Sequence, residues 1–105
     1  MSTLAALLAD LADELDLADG LDLAERRPAR DGLEYLRGGV LFAVSGPMAE
    51  FRLRPDIVAA ALRTPDTRPS DRGPAWVGFA PATLDQFAID RATAWFRLAW
   101  TAAAA

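Results

Sequence analysis

The chain has no cysteine and no histidine. Without cysteine there is no disulfide and no thiol nucleophile, and a reducing compartment, the cytoplasm, is the expectation. Without histidine the commonest general base and the commonest metal ligand are missing. Zinc and haem sites of the usual kinds therefore have nothing to hold them. Lysine and asparagine are also absent, so all eleven basic side chains are arginine. Alanine is abundant, which together with the arginine bias reads as drift in the coding sequence rather than as function. The longest apolar runs are far too short to span a bilayer, so no membrane is expected as a partner. The start, Met1-Ser2-Thr3-Leu4, lacks a basic region, and acids interrupt the leucine run from Asp10 onward, which is not the pattern of a secretory signal. No nucleophile–base pair and no phosphate loop is present, and no cofactor or metal is expected.

What is present suits one domain over residues 1–105. Hydrophobic residues make up 52% and charged residues 25%, a globular balance rather than a disordered one. A chain of this length buries roughly two-thirds of its unfolded surface. The net charge of −4 argues against nucleic acid as the main partner. That charge is uneven. Asp10, Asp13, Glu14, Asp16, Asp19, Asp22 and Glu25 fall in the first 25 residues, which hold no arginine, so an acidic start precedes a mildly basic body.

Ser2 or Thr3 can cap a first helix whose Leu4, Leu7, Leu8, Leu11 and Leu15 share one face. Asp19-Gly20 stops it. Leu21–Glu25 alternates like a short strand, and Arg26–Gly32 reads as loop. Gly38-Gly39 between two β-rich runs is a hairpin signal, because two glycines accept the positive φ of a type I′ turn. Strands are expected at Leu33–Arg37, Val40–Val44, Ala49–Leu53 and Ala75–Ala80. In the second, either Leu41 and Ala43 or Val40, Phe42 and Val44 face inward. In the third, Phe51 and Leu53 face one way and Glu50, Arg52 and Arg54 the other. Pro55 opens a short helix to about Arg63, with Asp56 favourable in its first turn. Thr64–Pro74, with three prolines, reads as a long surface loop of the kind that often carries function.

Thr83 can cap a long final helix. Its expected core face holds Leu84, Phe87, Ala88, Arg91, Trp95, Leu98 and Ala99. Ile89, Phe96 and Trp100 form a second apolar stripe, a candidate contact with the first helix or with another subunit, and so a possible homodimer through the C-terminal helix. Arg91 falls inside the apolar arc, where a charge must be paired. Asp66 or Asp71 of the proline-rich loop is the expected partner, through two parallel hydrogen bonds. Arg91, Asp66, Asp71, Arg72 and Trp76 form the candidate ligand or loop-pairing group.

From Leu33 onward the pattern resembles the MmcQ/YjbR-like proteins and the neighbouring luciferase-domain group. Gly38-Gly39-Val40-Leu41-Phe42-Ala43 and Phe51-Arg52-Leu53-Arg54-Pro55 carry the likeness. So do the loop Pro65–Arg72, Ala75-Trp76-Val77, and the final helix from Leu84-Asp85 to Trp95-Phe96. The resemblance implies a frataxin-like or double-wing domain and, for the YjbR-like branch, DNA binding. The luciferase-domain group tends to carry histidine, absent here, so no site carries over. A more distant analogy to frataxin would make the acidic first helix an iron-binding ridge, on fold-level likeness alone.

The expected fold is α+β. It is an antiparallel sheet of four or five strands, with N-terminal and C-terminal helices on one face and one short helix inserted. The leading functional expectation is a non-catalytic binding or interaction protein for an unknown protein or a small polar ligand. The alternative is a nucleic-acid-binding module using Arg26, Arg27, Arg30, Arg52 and Arg54. A continuous arginine face would favour nucleic acid, and arginines paired with acids would favour the first reading.

Overall fold

The computed structural model describes residues 3–19 and 24–104. Helix α1 (Leu4–Asp19) is followed by strands β1 (Glu25–Ala29), β2 (Gly32–Arg37), β3 (Val40–Ser45) and β4 (Ala49–Arg52). Helix α2 (Pro55–Ala61), strands β5 (Thr67–Pro69) and β6 (Trp76–Phe79), and helix α3 (Gln86–Ala103) complete the order. The strands form one sheet in the order β1-β2-β3-β4-β6-β5, antiparallel at every pairing. The class is α+β. The first and last helices pack on one face of the sheet, and the other face lies open.

The Thr3 hydroxyl caps α1 by accepting from Ala6 N at 3.0 Å. Leu8, Leu11 and Ala12 enter the core, with Leu4, Leu7 and Leu15 packed at its margin. Gly38 and Gly39 both have positive φ, 56° and 80°, as the β2–β3 turn requires. The register then slips: Tyr35 pairs with Ala43, but Leu36 pairs with Leu41. Phe42 is the extra residue of a bulge, which lets two consecutive side chains turn inward. Phe42 and Ala43 are both fully buried. Neither alternation expected for this strand holds, because the bulge breaks the period of two.

Six strands stand where four or five were expected. Arg26–Gly32 is not a loop: β1 pairs with β2 from Glu25↔Leu36 to Ala29↔Gly32. An edge strand needs no apolar alternation when its side chains find partners on both faces. Arg26, level with Tyr35 on the helix side, reaches Asp13 at 2.5 Å and Asp16 at 3.3 Å, and Arg27 on the open side reaches Glu34 at 2.7 Å. Leu21, Asp22 and Leu23, expected in a strand with Glu25, lie outside the described residues. The proline-rich loop contains β5, which pairs with β6 through Thr67↔Phe79, Arg68↔Gly78 and Pro69↔Val77. Pro28 and Pro69 sit on the two edge strands, where proline blunts further strand pairing.

Helix α3 begins two residues later than Thr83 suggested. Asp85 is its cap, accepting from Ala88 N at 2.8 Å. The buried face is Ala88, Ala92, Trp95, Phe96, Ala99, Trp100 and Ala103. Phe96 meets Tyr35 and Phe42 edge-on at 5.5 and 5.4 Å, and Trp100 meets Phe42 at 5.5 Å. Trp95 packs on Phe79 at 5.1 Å and Phe51 at 6.2 Å. The stripe expected to be surplus is therefore core: Phe96 and Trp100 are buried and Ile89 half-buried. Phe87 and Leu98, expected inside, are 63% and 43% exposed. The alanine row 88, 92, 99 and 103 lets α3 approach the sheet closely. That row turns the buried face about 90° away from the one the large side chains alone suggest.

Candidate functional site

Pro55, pre-set for a first helical turn, starts α2 immediately after β4. The helix leans beside α3, and the two enclose a groove of about 390 Å³. Ile57, Ala60 and Thr64 line one side, and Phe87, Asp90, Arg91, Ala94 and Leu98 the other, with Trp95 in the floor. The wall is apolar apart from Thr64, Asp90 and Arg91.

Arg91 is 13% exposed along its side chain. Its guanidinium lies between two rings, 4.9 Å from the centroid of Phe79 and 4.7 Å from that of Phe87. Nη1 donates to the Pro65 carbonyl at 2.6 Å, and Nε reaches the Phe87 carbonyl at 3.5 Å. Nη2 is 3.8 Å from Asp66 Oδ2, an ion pair but not a hydrogen bond. The expected pair of parallel bonds to a carboxylate is thus absent, and the carbonyl of Pro65 takes the strong contact. The reason is local. Asp66 turns through φ 67°, and its own carbonyl accepts from Ala80 N at 3.0 Å, so the backbone rather than the carboxylate is presented to α3. Asp71 is exposed and does not pair with Arg91. Thr64 and Thr67 hydroxyls donate to the Ala61 carbonyl at 2.7 and 3.0 Å, which fixes the same turn to the end of α2.

The open sheet face carries a second polar group. The Ser70 hydroxyl, buried, donates to Glu50. Arg72 Nε lies 3.2 Å from Glu50 Oε1, and Arg72 N donates to Ser70 Oγ at 3.1 Å. Arg72 also stands over the Trp76 ring at 5.6 Å. Arg72 and Trp76 are therefore together, but on the opposite side of the sheet from Arg91. Glu50 and Ser70 were not singled out from the sequence. Glu50 sits at an outward strand position and Ser70 in a loop, and the contact crosses twenty residues, so no local pattern joins them. The serine proton fastens the loop to β4 through Glu50, and one lone pair holds Arg72 N within the loop.

The nucleic-acid candidates do not share one surface. Arg26 faces α1, Arg27 pairs on the open face, and Arg54 lies 3.7 Å from Asp56 at the start of α2. Arg52 is exposed opposite Trp76 on the open face, and Arg30 lines a small cleft with Asp31, Glu50 and Arg72. Among the described residues, no three metal-donor side chains come together, and no helix is long and apolar enough to cross a membrane.

Compared with family models, curated proteins and solved structures, the chain finds no match in any of the three.

Proposed function

We propose that this is a non-catalytic binding domain and that the α2–α3 groove is its binding surface. One observation carries the reading. Phe87 and Leu98 stand 63% and 43% exposed at the mouth of a concave apolar surface, with Ile57, Ala60 and Ala94 contiguous with them. Scattered exposed hydrophobic residues are ordinary, whereas a contiguous apolar patch marks contact. The Arg91 and Thr67 bonds tie the turn after α2 to α3 and to the end of α2, which fixes the two walls of the groove relative to each other.

The domain type best supported is the double-wing one, by the order helix, hairpin strands, short helix, two further strands and long helix. The nucleic-acid alternative has less support. Of its five arginines, Arg26 and Arg27 are drawn into pairs with carboxylates, and phosphate binding depends on free cationic charge.

An anilinonaphthalene sulfonate titration tests the groove. The folded protein is expected to bind the dye with a saturable rise in emission. Leu98→Glu and Ala60→Glu, both at exposed positions, are expected to abolish that rise while leaving far-ultraviolet dichroism unchanged. A folded monomer that gives no rise, or a rise that survives both variants, would count against the groove.

A further inference from the structure

Resting on that reading, we propose that the groove's occupant is a second copy of this chain, packed antiparallel along α3 about a two-fold axis. A two-fold contact must be complementary to itself. The outer face of α3 has that property. At about 100° per residue, Phe87, Ala94 and Leu98 fall within about 40° of one another, with Asp90 and Arg97 together on one flank. Read from either end the stripe is large, small, large: Phe87 and Leu98 near the ends and Ala94 between them. Aligned antiparallel, Phe87 of each copy lies opposite Leu98 of the other, and small Ala94 lets the helices come close. The same alignment brings Asp90 of each copy within a residue or two of Arg97 of the other. Same-flank residues meet in an antiparallel pair, so symmetry makes two such ion pairs.

The charges favour a copy of this chain over a foreign partner of one sign. A uniformly cationic partner would satisfy Asp90 and repel Arg97, and an anionic one the reverse, whereas a second copy satisfies both. Both groups are available. Arg97 pairs in its own chain with Glu14 at 3.4 Å, with the two side chains 60% and 63% exposed, a loose surface pair that exchanges easily. Asp90 is exposed and is held by Gln86 Nε2 at 2.8 Å, on its own helix. Association through the sheet edges is disfavoured by Pro28 and Pro69, whereas α3 presents exposed Phe87 and Leu98 for it. Phe87 and Leu98 of the second copy then enter the groove beside Ile57 and Ala60.

Sedimentation equilibrium of the full chain at physiological salt tests this. The apparent mass is expected to rise with concentration from 11.3 kDa toward twice that value. Asp90→Arg and Arg97→Asp should each weaken association by about tenfold or more, and the double exchange should restore it. Because the chain has no cysteine, Ala94→Cys offers a second measurement: oxidation or a short bis-maleimide should link two copies. A chain that stays monomeric while its groove still takes the dye overturns the dimer and leaves the groove standing. A monomer that also fails to take the dye overturns both. Association unaffected by either single exchange, or not restored by the double one, also overturns this arrangement.

Discussion

The guanidinium of Arg37 lies 4.0 Å from the ring centroid of Trp100 and donates to the Trp100 carbonyl at 2.9 Å. A strand-end arginine thus covers a face of an indole that also packs on Phe42. Trp100 is a core residue with a charged lid.

Trp100→Glu is therefore expected to act on folding and not on association. It places a carboxylate among Phe42 and Phe96 and removes an aromatic contact. Trp100→Ala should cost about 3–5 kcal/mol by chemical denaturation, and the glutamate more. A Trp100→Ala variant with an unchanged midpoint would show the ring to be dispensable.

Arg91 acts as a clamp between α3 and the 64–67 turn. Arg91→Met keeps a stem between Phe79 and Phe87 but leaves the Pro65 carbonyl without its donor, at roughly 1–2 kcal/mol. Arg91→Ala also opens the space between the rings and should cost about 1 kcal/mol more. Asp66→Asn should change stability by under ~1 kcal/mol, because its carboxylate stands 3.8 Å away and partly in water. Equal losses for Met and Ala would mean that the stem contributes nothing.

The Glu50–Ser70–Arg72 group predicts a local effect. Ser70→Ala leaves a largely buried carboxylate with one fewer donor and frees the loop after β5. Global stability should fall by about 1–2 kcal/mol. Amide exchange should accelerate around Arg72 and Gly73, whose N–H groups depend on the Ser70 hydroxyl and carbonyl. Exchange that quickens evenly across the chain would mean that the loop is not fastened there.

The hairpin was legible because Gly38-Gly39 has one strong structural use, and α1 because its leucines keep a single helical face. The two edge strands were not. β1 is written in arginines and a proline, and its partners are acids of α1 and β2 that sequence proximity does not reveal. β5 spans only three residues inside a proline-rich segment. The orientation of α3 was misjudged for a physical reason: Phe87 and Leu98 drew the expected face to one side of Ala88 and Ala99, whereas the buried face lies to the other, with Ala92, Phe96, Trp100 and Ala103. Arg91 was found because a charge inside an apolar arc is anomalous wherever it points. Its carbonyl partner could not be found, since every residue offers one. The groove has no sequence signature at all, being the space between α2 and a helix whose rotation was unknown.

Tyr35 is the single tyrosine of the chain. It is fully buried, and among the described residues its hydroxyl has no partner at hydrogen-bonding geometry. Burial pushes the phenol above its ordinary value of 10.0, and nearby Arg26 offsets this only in part. The folded state then holds the proton more tightly than the unfolded chain does. The associated stability is complete below the unfolded value and is lost as pH rises through the folded one, so the effect belongs to the alkaline side. Tyrosinate absorbance should accordingly appear late, together with unfolding. Tyr35→Phe removes the unsatisfied hydroxyl while keeping the ring against Phe96. It should leave neutral-pH stability unchanged or raise it by up to about 1 kcal/mol. It should also move alkaline unfolding to higher pH. A clear loss of stability at neutral pH in the phenylalanine variant would show that the hydroxyl has a partner after all.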